Sequence, residues 1–411
     1  MKKVALLLAA AMLALAGCAS AGDTAAASDA APAESTAESA AAEDSTEAAL
    51  PGEPHPLSAY SACAVSGSSV YTAVSHFSSS EDSLGSFDHS TVYKTDLTTG
   101  QTYEMYRTGS QLASAPLIID DTLYFICYDG GMLALPTTGG EARVLPFSYD
   151  DWMPVFYAGH YLYCRSVSAA PFCRTGGMRF NLENGETAPW NIPVETMYIP
   201  DVVGDALLLC RVVSDYPVPY PDDDEMSQAL LQNTTLEYTL ADPATGAVRQ
   251  TCFTLPYDIP QPGNLTVYTY LGKCGSDFYF RADQCDDEYA LVSQSVLRIG
   301  TDGTRTDLGI TKTPDYLDYC AVLQGDEVRW LLTRGPDGIY LIYDTQGNEI
   351  GRNKRPAGLE AFFPLCMLDD GRLLMVIGYD WEHDSAARYA VMDADEFLNG
   401  GSAYREMMFV E

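Results

Sequence analysis

The densest runs of chemically reactive side chains are Asp222-Asp223-Asp224-Glu225 and Asp286-Asp287-Glu288. Hard carboxylate oxygens suit Ca²⁺. Neither run has the spaced ligands of a calcium loop, so solvated loop acids compete with a Ca²⁺ site at 222–225; no other cofactor is implied. The five histidines, His55, His76, His89, His160 and His383, never come to metal-ligand spacing, and no Cys-x-x-Cys pair supports zinc. A nucleophile elbow, a His-Glu-x-x-His helix and a phosphate loop are all missing, so no catalytic residue is assigned and no enzyme is expected. A carbohydrate-active hydrolase or lyase is the alternative, because paired carboxylates from separate loops leave no spacing signature.

One cysteine stands apart from the other ten. Lys2 and Lys3 precede the uncharged apolar stretch from Val4 to Leu15, which ends in Leu15-Ala16-Gly17-Cys18. The stretch has the length of a signal-peptide core and falls short of the ~20 residues of a membrane-spanning helix. This segment resembles the lipobox of bacterial lipoproteins at all four positions. The resemblance implies a signal peptide over 1–17, acylation of Cys18 on sulfur, and a mature protein held by lipid on the extracytoplasmic side of the cell membrane.

Residues 19 to 56 hold eight acids, no Lys or Arg, and Leu50 as their one large apolar side chain. Such a composition cannot offset the entropy of ordering, so 18–56 is expected to be the lipidated cysteine and a disordered, extended tether.

The other ten cysteines are expected to be mostly unbridged thiols. Cys127, Cys164, Cys210, Cys320 and Cys366 sit in apolar strands of different repeats, while Cys164 and Cys173 flank a turn across which they could meet.

From Leu57 to the end the chain reads as short strands rich in Val, Leu, Tyr, Phe and Thr, with no long helical period. Two turn markers alternate. One precedes an apolar strand at Gly67, Asp120, Gly159, Gly204, Gly275, Gly325 and Asp370; the other lies at Gly100, Gly139, Gly185, Gly246, Gly303, Gly347 and Gly400. The unit is plainest over 115–145, where four even strands follow one another. Seven units of about 51 residues approach the period of propeller blades. The expected fold is therefore all-β: a β-propeller of seven four-stranded blades over 57–411, with six or eight blades as alternatives.

The strand-turn-Tyr-strand, Gly-strand, Thr-Gly-strand pattern resembles the TolB-like and PQQ-like propellers of uncharacterised bacterial lipoproteins. The tryptophan that often ends PQQ-type repeats is not kept, since Trp152, Trp190, Trp330 and Trp381 fall at unequal positions. That departure speaks against quinone binding.

Within each unit the long connections are expected between the second and third strands, at 77–90, 214–233, 284–293 and 380–387. One face is then elaborated, and it would carry Phe77, Phe87, Tyr216, Tyr220, Tyr289 and Trp381 among carboxylates. Aromatic faces beside acids suit sugar stacking or capture of a basic peptide.

The net charge of −34 is unevenly shared, and about −28 of it falls in 57–411. It excludes nucleic acid and adsorption to anionic membranes, both of which need Lys and Arg. The expected role is a monomeric, lipid-anchored binding or interaction scaffold for a glycan, a basic peptide or a protein.

Overall fold

The computed structural model describes residues 50–57, 62–77, 86–166, 176–193, 196–214, 234–257, 265–288, 290–309, 319–335, 338–381 and 386–410. Almost all regular structure in them is strand.

The strands form antiparallel meanders of four, in which each strand pairs with the one before it. Among the described residues there are seven, spanning 64–108, 117–145, 152–190, 196–256, 266–307, 319–354 and 363–406. In the first, Ala64–Ser66 pairs with Ser69–Phe77, which pairs with Phe87–Asp96, which pairs with Gln101–Thr108. Lone parallel bridges, Lys273↔Glu327 and Gln324↔Met367, join the last three meanders into one sheet.

Both sets of turn markers take the backbone conformation that selected their residues. Six of the seven hairpins between first and second strands begin with φ between 51° and 61°, at Gly67, Asp120, Gly159, Gly204, Gly275 and Gly325. That left-handed geometry matches the twist of a two-residue hairpin. Asp120 is the non-glycine in the series, of a type whose short polar side chain tolerates the region. The second set, from Gly100 to Gly400, clusters between 70° and 84°. At Gly246 a Cβ would also meet the Asn191 carbonyl oxygen at 2.6 Å.

An aspartate side chain commonly closes these second turns. Asp96 Oδ1 accepts from the backbone N–H of Thr98 and Thr99, and Asp242 Oδ1 from Ala244 and Thr245. The Thr99 N–H holds the Asp96 carboxyl below its ordinary range, and the Arg249 guanidinium does so for Asp242. In the last meander the turn carries a short helix, Ala394–Leu398, capped by Asp393.

A four-stranded meander has two apolar faces, and here each is covered by a neighbour. Leu123, Phe125 and Leu133 of the second meander pack on Tyr71 and Val92 of the first. The same holds at every later junction, 2–3, 3–4, 4–5, 5–6 and 6–7. The cycle then returns to its start: Cys366, Leu374, Val376, Tyr389 and Val391 of the last meander bury Cys63, Val70 and Leu97 of the first.

Polar contacts reinforce that junction. The Arg405 guanidinium donates to the Leu97 carbonyl, and Met408–Phe409 adds a parallel strand beside Gln101 and Thr102. First strands of successive meanders adjoin at five of the seven junctions. This is the radial packing of a β-propeller. Among the described residues no hydrogen-bonded sheet closes on itself; the closure is made by side chains and the C-terminal strand.

The folded body begins earlier than the sequence suggested. Pro54–Pro56, assigned above to the tether, pairs antiparallel with Trp152–Ala158 on the open inner edge of the third meander. Leu50 packs among Phe156, Ala158 and Leu207, and Gly52 approaches Gly159 so closely that a Cβ there would lie 3.0 Å from the Gly159 nitrogen. One apolar side chain and a proline-bounded strand suffice because a preformed strand edge is available. Composition alone could not reveal that edge.

A buried ion pair spans three meanders at the inner strands. Lys273 Nζ lies 3.0 Å from Asp201 Oδ1 and 2.5 Å from Asp326 Oδ2, while the Tyr270 hydroxyl donates to Asp201 Oδ2 at 2.7 Å. Burial pushes the Asp201 carboxyl up, and Lys273 pulls it back toward the charged form. Removing one partner of such a pair leaves an uncompensated charge. Lys273→Met is therefore expected to lower unfolding free energy by about 3–5 kcal/mol, and Asp201→Asn in the same chain to restore part of it. Denaturant unfolding of both variants checks this; an unchanged midpoint for Lys273→Met would contradict it.

Candidate functional site

The ends of the second and third strands, opposite the first-to-second hairpins, carry the most exposed aromatic side chains. Phe77 is 52% exposed, Tyr128 52% and Trp381 60%. They belong to the first, second and seventh meanders, which are consecutive around the cycle. Each has an aromatic neighbour.

Phe77 and Phe87 are cross-strand partners, with ring centroids 5.9 Å apart in an edge-to-face arrangement. The pairing is set by the register of Ser69–Phe77 against Phe87–Asp96. One step inward, His76 and His89 stack at 4.1 Å with 14° between planes. His76 Nε2 lies 2.8 Å from Thr91 Oγ1, and His89 Nδ1 lies 2.9 Å from Asp88 Oδ2. The histidines thus stiffen the hairpin that presents the two phenylalanines.

Trp381 follows strand Arg372–Asp380, and its indole Nε1 donates to Glu360 Oε1 at 3.2 Å. Glu360 Oε2 accepts from the Tyr379 N–H, and the Arg355 guanidinium holds the Glu360 carbonyl. The indole is tethered by its edge, so its face stays open to solvent. Tyr379 lies 6.5 Å away, centroid to centroid.

The third pair was not expected. Tyr128 comes directly after the Leu112↔Cys127 bridge, and its ring meets Tyr149 at 5.7 Å, edge to face. Burial, and then Tyr149, raise the Tyr128 hydroxyl pKa. Loop length pointed away from this position, because the second meander has a short connection there. The available signal was an aromatic immediately following an apolar strand, the pattern that Trp381 shares.

The structure therefore brings Phe77 and Phe87 together and places Trp381 on a neighbouring meander. Tyr216, Tyr220, Tyr289 and the acidic run Asp222 to Glu225 lie outside the described residues. The Asp286 carboxylate accepts from the N–H of Glu288 and Ala290, so it closes its own turn. Among the described residues no group of three or more His, Cys, Asp or Glu is placed to hold a metal ion. Nor is any pair of the described cysteines joined in a disulfide; Cys164 is buried, and Cys173 lies outside the described residues.

The expected long insertions at 284–293 and 380–387 are both corrected: Asp380 pairs with Ala386, which leaves a connection of only 381–385. Gln284 pairs with Ser293 and Cys285 with Leu291, leaving a connection of only 286–290. Gln284, Cys285 and Leu291 to Ser293 continue the strands, and the three acids are confined to the turn. Conversely, the third meander has a connection over 167–176 that the sequence reading did not count among the long ones.

Several solved structures are similar to this chain. BamB from Moraxella catarrhalis is 12% identical, the match covering 80% of this chain and 93% of that one, with TM-score 0.39. The Dos1 propeller is 11% identical over 87% and 89%, with TM-score 0.41. An oligogalacturonate lyase from Vibrio parahaemolyticus is 10% identical over 84% and 92%, with TM-score 0.46. None of these likenesses bears on the site. No family model matches the chain, and no curated protein matches it.

Side chains kept for binding rather than packing should be dispensable for folding. Phe77→Ala and Trp381→Ala are each expected to change unfolding free energy by less than about 0.5 kcal/mol, as surface substitutions do. Thermal denaturation checks this; a loss above about 2 kcal/mol would reassign the rings to structural support.

Proposed function

We propose that the chain is a lipid-anchored, extracytoplasmic lipoprotein whose seven meanders are the blades of a TolB-like or PQQ-like β-propeller, and that this propeller is a ligand-binding scaffold. The observation that carries the reading is the arc of exposed aromatic pairs on consecutive meanders, each next to carboxylates. Asp88 adjoins Phe87, Asp129 adjoins Tyr128, and Glu360 holds Trp381.

The described chain enters the body away from that arc. Pro51 and Gly52 lie against the Gly159 hairpin, and Pro54–Pro56 then runs along the inner edge of the third meander toward the other end. The chain thus enters the body on the plain hairpin side. A charge near −28 on the body favours neutral or cationic ligands over polyanions.

Two measurements test the reading. Cys18→Ser should move the protein from the membrane fraction to the soluble fraction of the expressing cells; continued membrane retention would overturn lipid anchoring at Cys18. Arrays of neutral glycans and basic peptides should yield a ligand whose affinity falls at least about tenfold in Phe77→Ala/Trp381→Ala, since each ring contributes about 1 kcal/mol. An unchanged affinity, or turnover of a bound glycan, would overturn the scaffold role.

A further inference from the structure

The second meander is the one place on the aromatic side where the second-to-third connection is tight and fully described. Strand Thr122–Ile126 turns through 127–131 into Met132–Pro136. Beside it lies an open groove of about 600 Å³, lined by Gly130, Gly131, Val144, Pro146, Phe147 and Ser148. In the chain, Tyr128 and Tyr149 flank this lining, and their rings form the edge-to-face corner described above.

The groove stays open because Gly131 carries no side chain. A Cβ there would meet Val144 Cγ1 at 3.0 Å, and φ is +98°. Val144 is 63% exposed, a large apolar side chain left open to solvent in the groove wall.

The polar groups present select the ligand. The Gly131 N–H is spent on the Phe147 carbonyl and the Gly131 carbonyl on the Cys127 N–H, so neither group is left for a ligand. The Ser148 hydroxyl donates to Asp151 Oδ2 at 2.7 Å. Asp129, Asp150 and Asp151 are exposed carboxylates, and an ionised carboxylate only accepts. Arg143, the nearest cation in sequence, is turned away; its guanidinium donates to the Glu183 and Leu182 carbonyls of the third meander. What remains is the half-exposed Tyr128 ring set edge to face against Tyr149, with the exposed carboxylates Asp129 and Asp150 as their chain neighbours. A neutral glycan would have to supply every donor, whereas an ammonium or guanidinium group matches both the acceptors and the ring faces.

We propose that the Tyr128–Tyr149 corner is a binding site for the lysine or arginine side chain of an extended basic peptide, whose apolar stem lies along Val144 and Pro146. The proposal rests on the reading of this side of the protein as ligand-binding, and it commits that reading to a cationic partner at the second meander.

The probe is fluorescein-labelled octalysine, titrated by anisotropy against the full-length chain at 0.15 M salt. Tyr128→Ala should weaken binding about fivefold or more, and Tyr128→Phe should keep it within about twofold, in line with a desolvated cation–π contact. Asp129→Asn should weaken it, while Asp121→Asn, an equal charge change at the opposite end of the same meander, should not. Thermal midpoints of all four variants report folding. Equal affinities for Tyr128→Ala, Asp129→Asn and Asp121→Asn would mean bulk charge attraction and would overturn the site, as would no binding at this salt. The readout is local to the second meander, so it fails independently of the array test on Phe77 and Trp381.

Discussion

Every other feature depends on one constraint: a four-stranded meander of this sequence is apolar on both faces and cannot bury both alone. Each face needs a partner, and the chain satisfies all of them by packing every meander against the next and the last against the first. Burial of a Leu or Phe side chain contributes roughly 1.5–3 kcal/mol, so an uncovered face would cost more than a domain's whole stability. The junction between the ends is therefore a condition for the fold. The Arg405 contacts and the strand Met408–Phe409 hold it from the outside.

The proposed binding role draws on that geometry. Radial packing fixes the inner and outer strands and leaves only the connections free to vary. The hairpin side is held to tight left-handed turns, with Lys273 and Asp201 buried between two meanders and the half-exposed Asp326 joining them from a third. The other side carries the rings, anchored by features that stop short of burying them: a stacked histidine pair behind Phe77, and a carboxylate at the indole edge of Trp381. Rigid support under an exposed ring lowers the entropy cost of binding to it.

Much of this fold was legible in the sequence, for a physical reason. Left-handed turn positions admit few residue types, so Gly67 through Gly325 and Gly100 through Gly400 report backbone geometry directly. Pairing and packing partners leave no such mark. The strand at Pro54–Pro56 looked like tether because its partner, Trp152–Ala158, is about a hundred residues away in sequence. Gln284 to Ser293 looked like loop because of its acids, although the ladder reaches Cys285 and Leu291 on either side of them. Phe77, Phe87 and Trp381 were found because they bracket connections; Tyr128 was missed because its connection is short. Long-range placement, not local chemistry, separates what was read from what was not.

The closure of the ring is tested most directly by removing one meander. A chain ending at residue 362 lacks the seventh meander and leaves the exposed faces of the first and sixth uncovered. Denaturant unfolding, followed by tryptophan fluorescence and by far-ultraviolet circular dichroism, should show no cooperative transition for this truncation and one coincident transition for the full chain. A cooperative transition in the shortened chain, with its midpoint merely lowered, would show that the meanders form an open stack and contradict the closed ring.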